Sequence, residues 1–174
     1  MIFLIIRLVC CELMWESCGK TCGMIILQVI HNFCLIYMPA VGYSGTPLLK
    51  KLGINPGTKV LLINKPDNYF DLLEANIKDQ LCGKNEIADL VHLFVKTNKD
   101  FETEMKKLRT TVKQNPNVII WISWYKKTAK IPTDITEDVI RNYALKNDLV
   151  DVKVCAVSDI WSGLKLVVRL AKRK

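Results

Sequence analysis

Val118-Ile119-Ile120-Trp121-Ile122-Ser123-Trp124 is a run of β-branched and aromatic residues broken only by one serine. That composition suits a pleated strand. Asn115-Pro116-Asn117 punctuates it on one side and Lys126-Lys127 on the other. A strand with no polar alternate positions has no solvent face, so both of its faces must be covered, as in a parallel sheet. Lys59 to Asn64 (KVLLIN) and Asp89 to Val95 (DLVHLFV) have the same character.

Helical segments lie between these strands. One is expected from about Asn68 to Ile77, followed by a loop over Leu81 to Ile87. The next begins at a cap by Asp100 and repeats Phe101, Met105, Leu108 and Val112 on one stripe. A third follows Pro132, where Asp134 and Glu137 have capping-box spacing and Ile135, Val139, Ile140, Tyr143 and Ala144 share a face. Ahead of the first strand, Thr46 as N-cap, Pro47 in the first helical position and Gly53 past the end bracket a short helix over Leu48 to Leu52. Asn55-Pro56-Gly57 is a turn.

Val150 to Val157 and Gly163 to Leu170 are two more strands. Their link, Ser158 to Ser162, is too short for a crossover, so they pair antiparallel. The predicted fold is α/β: a Rossmann-like three-layer α/β/α sandwich. Its first four strands run parallel, its helices lie on both faces, and a hairpin closes the chain. The order also resembles a shortened methyltransferase fold.

Residues 1–37 differ in character. They hold five of the seven cysteines and four charges, Arg7, Glu12, Glu16 and Lys20, which cancel. The whole net charge of +8 therefore belongs to residues 38–174. The two apolar runs in the first segment are shorter than the roughly 18 residues needed to span a bilayer. Its cysteine spacings lack the paired C-x2-C of a zinc site, so no metal is expected. These residues read as an upstream stretch ahead of a start at Met38, or as a leader on a single cytoplasmic domain, 38–174.

Several stretches resemble an uncharacterised bacterial domain-of-unknown-function family. They are Gly42-Tyr43-Ser44-Gly45-Thr46-Pro47-Leu48, Lys50-Lys51-Leu52-Gly53, Val91-His92-Leu93-Phe94, Val150 to Ala156 and Trp161-Ser162-Gly163-Leu164-Lys165-Leu166. The resemblance spans about residues 41–170 and implies no established activity. One departure is Tyr125 in Ser123-Trp124-Tyr125-Lys126-Lys127, where the family pattern has proline.

Ligands of open parallel sheets bind beyond the carboxyl ends of the strands. Here that edge gathers Asn64, Lys65, Thr97, Ser123, Trp124, Lys126 and Lys127, with Trp161 and Ser162 brought in by the hairpin. Indoles, ammoniums and hydroxyls suit a small anionic ligand with a flat ring, or a protein partner. The turn Asn64-Lys65-Pro66-Asp67-Asn68 has no glycine, whereas nucleotide cofactors need one for close backbone approach, so no cofactor is expected. A methyltransferase-like enzyme is the alternative reading.

Ser44, Gly45 and Thr46 form a second candidate, a phosphate-binding turn at the start of the short helix. His92, Cys82 and Cys155 are the Cys-His candidates, but they read as packing residues, and no catalytic residue is assigned. Nucleic acid is a further, weaker reading. It rests on Lys126, Lys127 and Lys130 with Trp121, Trp124 and Tyr125 interleaved, and on the basic tail Arg169, Lys172, Arg173 and Lys174.

Overall fold

The computed structural model describes residues 45–83 and 85–173. The predicted boundary at Met38 therefore lies outside the described residues. The strands are β1 (Val60–Ile63), β2 (Leu90–Phe94), β3 (Ile119–Tyr125), β4 (Leu149–Ala156) and β5 (Trp161–Val168). The helices are α1 (Leu48–Leu52), α2 (Tyr69–Leu73), α3 (Asn98–Gln114) and α4 (Glu137–Lys146). The strands form one sheet in the order β1-β2-β3-β5-β4. β1, β2 and β3 are mutually parallel, and β5 is antiparallel to both of its neighbours.

This is the predicted Rossmann-like α/β fold with one refinement. β4 runs in the direction of the first three strands but does not pair with β3, because β5 returns between them. The hairpin thereby closes the sheet from inside instead of extending it.

Every residue of β2 is buried, as expected for a strand covered on both sides. On one face Leu61, Val91, Leu93, Ile120, Ile122 and Leu164 meet Phe101, Met105 and Leu108 of α3 and Ile140 and Ala144 of α4. On the other, Val60, Leu90, Phe94 and Trp121 meet Leu48 and Leu52 of α1 and Tyr69 and Leu73 of α2. There the Trp121 indole N–H donates to the Leu52 carbonyl at 2.9 Å, so the buried donor is satisfied.

α2 and α3 thus cover opposite faces, although β1, β2 and β3 step across the sheet in one direction. The chain resolves this after α2. Leu81 forms a single parallel bridge to Val60 on the free edge of β1, with Cys82 N–H donating to the Val60 carbonyl at 3.0 Å. Both the face and the direction of travel are reversed relative to the β2-α3-β3 unit. The crossovers therefore keep one hand, consistent with the strong preference for right-handed connections. The predicted loop over 81–87 contains the bridge that makes this possible.

Several local predictions shift. The helix expected over 68–77 stops at Leu73, because Glu74 turns left-handed at φ 52°. Thr97, not Asp100, caps α3, its hydroxyl accepting from the Asp100 N–H at 3.1 Å. Thr136 similarly caps α4 through the Val139 N–H at 3.4 Å, in place of Asp134. Asp134 instead accepts from the Asn98 N–H at 2.7 Å, so the loop before α4 is tied to the first turn of α3. Pro47 occupies the N-cap position of α1, one residue past the expected Thr46, with no side-chain cap bond. The predicted 55–57 turn forms: Thr58 N–H donates to the Asn55 carbonyl at 3.1 Å, with Gly57 at φ 84°. Pro followed by positive-φ Gly is the type II arrangement.

Candidate functional site

The carboxyl ends of β1, β2 and β3 lie at one edge, where β4 also ends and β5 begins. At β1 the first residue beyond the strand, Asn64, is exposed and left-handed at φ 53°. Asparagine tolerates that conformation better than most side chains. Lys65 is exposed and lies over the Phe70 ring, 5.2 Å from its centroid. At β2, Thr97 is spent on capping α3, and the Thr133 hydroxyl donates to the Lys96 carbonyl at 2.9 Å.

The remaining predicted residues divide by strand alternation. Along β3, Ile120, Ile122 and Trp124 point to the α3–α4 face, and Trp121, Ser123 and Tyr125 point to the α1–α2 face. Trp161 pairs with Tyr125 and shares its side, stacking on the tyrosine ring at 4.1 Å between centroids and 24° between planes. Trp161 also meets Phe94 edge-on at 5.1 Å. The two indoles expected to converge therefore lie on opposite faces of the sheet, Trp124 at 6% and Trp161 at 4% exposure.

What does converge is on the α3–α4 side. Trp124, Lys126, Lys127 and Ser162 line a cleft of about 480 Å³ with Thr128, Ile135, Thr136, Glu137, Asp138 and Arg141. The Lys126 N–H donates to the Ile160 carbonyl at 2.9 Å, which fastens the end of β3 to the hairpin turn. Arg141 bridges Glu137 at 2.6 Å and Asp151 at 3.0 Å. The carboxylates at the start of α4 belong to this wall as well as to the helix dipole.

Ser123 belongs elsewhere. His92, fully buried, reaches the Ser123 hydroxyl through Nε2 at 2.8 Å and the Tyr69 hydroxyl through Nδ1 at 2.9 Å. A neutral imidazole has one N–H and one lone pair, so it donates to one hydroxyl and accepts from the other. Burial pushes the His92 pKa down to about 3, keeping it neutral, and pushes the Tyr69 phenol up. Gly163 makes room for this group: a Cβ there would lie 2.9 Å from Val157 Cγ2 and 3.4 Å from Ser123 Oγ. All three members are fully buried, so the relay links α2, β2 and β3 and is closed to substrate.

Among the described residues, no Cys-His pair forms. Cys155 is on β4, three strands from β2, and burial raises its thiol pKa, with Lys153 and Lys51 opposing. Cys82 is raised by burial too. Neither is an activated thiolate. Among the described residues, no three His, Cys, Asp or Glu side chains group to hold a metal ion. Among them also, no helix is long and apolar enough to cross a membrane.

Gly45 and Thr46 form an exposed bend before α1, and Ser44 lies outside the described residues. At five residues, α1 has too few aligned peptides for a strong dipole. The basic surface is divided. Lys126, Lys127 and Lys130 stand at the carboxyl edge of β3, whereas Arg169, Lys172 and Arg173 follow the far end of the eight-residue β5, about 26 Å away at the usual rise per strand residue. Trp121 and Trp124 are buried and Tyr125 is stacked on Trp161, so the interleaved aromatic residues do not form a platform for bases.

No family model and no curated protein matches this chain. Among solved structures it is similar to a NADB-Rossmann superfamily protein from Streptococcus agalactiae, with TM-score 0.45 and 10% identity over 75% of this chain and 72% of that one. It is also similar to a candidate tRNA methyltransferase from Streptococcus pneumoniae, with TM-score 0.47 and 8% identity over 71% and 70%. An uncharacterized protein from Listeria monocytogenes serotype 4b gives TM-score 0.47 and 8% identity over 75% and 70%.

Proposed function

We propose that the chain is a binding domain, not an enzyme, and that the cleft beside Trp124 takes a small, flat, anionic ligand. The observation that carries this reading is the meeting of Trp124, Lys126, Lys127 and Ser162 in one recess at the carboxyl edge of the sheet. An indole edge offers an apolar surface, two ammoniums supply charge, and Ser162, Thr128 and Thr136 bring hydroxyls for orientation. The lining carries Lys126, Lys127 and Arg141 against Glu137 and Asp138, a net of +1, and Asp151, bonded to Arg141 beside the cleft, lowers the local charge further. That balance favours a singly or doubly charged ligand over a polyanion.

The competing reading, a methyltransferase-like enzyme, puts its cofactor against the turn after β1 and not in this cleft. Thermal-shift measurements with anthranilate, adenosine monophosphate and S-adenosylmethionine separate the two. At a hundred times its Kd a ligand adds about 2.7 kcal/mol of stability. The expected result is stabilisation by one of the first two compounds, lost in Lys126→Ala and in Lys127→Ala. Stabilisation by S-adenosylmethionine that survives both substitutions but falls in Asn64→Ala would replace the binding reading with the enzymatic one.

A further inference from the structure

At the other end of the same face, where α3 and α4 both finish, lies a second recess of about 520 Å³. Its floor is apolar, built from Leu108, Val112, Tyr143, Leu149 and Val168. Val112 lies on the apolar stripe of α3 yet is only half-buried, because this recess runs beside it. The volume falls within the usual range for small-molecule sites.

The rim is strongly one-signed: Arg109, Lys113, Lys146 and Lys172 face a single acid, Asp148. Two helix carboxyl ends contribute roughly half a negative charge each, which leaves the rim positive by about two charges. Lys172 accounts for Asp148, 3.7 Å away. Arg109 donates to the neutral Asn147 side chain at 2.9 Å, a bond that orients the guanidinium across the helix ends without cancelling its charge. An apolar floor under a cationic rim matches a ligand with one apolar tail and one anionic head.

We propose that this recess binds a single-chain amphipathic anion of the fatty-acid carboxylate class, its tail along Leu108 and Val112 and its head between Lys113 and Lys146. None of the lining residues belongs to the cleft beside Trp124, so the inference stands independently of the function proposed for that cleft.

The test is calorimetric titration of the full chain with sodium decanoate and, separately, decyltrimethylammonium, both below their micellar concentrations. Decanoate is expected to bind one to one and the cation at least ten-fold more weakly. Removing two ammoniums at about 6 Å in water-like dielectric is worth about ten-fold in affinity, so Lys113→Gln/Lys146→Gln should weaken decanoate by that factor. Val112→Trp, which fills the floor, should abolish binding, and Lys127→Ala should leave it unchanged. Equal binding of the cation, wild-type affinity in the double variant, loss of binding in Lys127→Ala, or no decanoate binding at all would each overturn the proposal.

Discussion

The α3–α4 face is closed by helices of 17 and 10 residues, capped by Thr97 and Thr136, and the side chains they press onto the sheet are apolar. The opposite face is covered by two five-residue helices without side-chain caps. Helices that short have little stability of their own. What holds them is specific: the Trp121 indole bonded to the end of α1, and the Tyr69 hydroxyl of α2 bonded to His92. Capped length and an apolar stripe secure one face, and buried polar anchors secure the other. Both clefts lie on the face held by long helices.

The largest expected effect is on the anchored face. Trp121→Ala removes a fully buried indole and its bond to Leu52, and large-to-small changes of this kind cost about 3–5 kcal/mol. Urea unfolding measures it. A loss below about 1 kcal/mol would break the contrast, because it would mean that α1 needs no anchor.

The next effect is pH-dependent. The folded pKa of His92, about 3, lies below the unfolded value near 6.5, so the unfolded chain takes up the proton first. The stability tied to neutral His92 is fully present above pH 6.5 and is lost as pH falls toward 3. At pH 5 the loss is about 2 kcal/mol relative to pH 7. Denaturation between pH 7 and 5 should show this slope in the wild type and a flatter one in His92→Gln. Parallel slopes would remove the relay from the account of this face.

The smallest effect tests the capped side. Thr97→Ala leaves the Asp100 N–H without its acceptor and should cost about 1 kcal/mol, while Thr97→Ser should restore most of it. If Thr97→Ala costs as much as Trp121→Ala, the two faces are secured more alike than their packing suggests.

Much of the architecture was legible from the residues. Largely apolar runs mark β1, β2 and β3, the Phe101-Met105-Leu108 stripe marks α3, and the short link Ser158 to Ser162 marks an antiparallel pair. Those signals are local. The binding edge is only half legible, because the sequence lists Ser123 and Trp124 at one edge whereas neighbours on a strand face opposite ways. Strand alternation alone separates them. The position of Trp161 needed the pairing with Tyr125 as well, and no nearby residue reports it.

Element type and order follow from periodicity and turn chemistry, which act over a few residues and so can be read along the chain. Which side chains meet depends on contacts between distant segments: β5 entering beside β3, Leu81 bridging to Val60, and Tyr69, His92 and Ser123 brought onto one face. Register and sheet order arise only when the whole core packs, so the relay and both clefts are products of the tertiary fold.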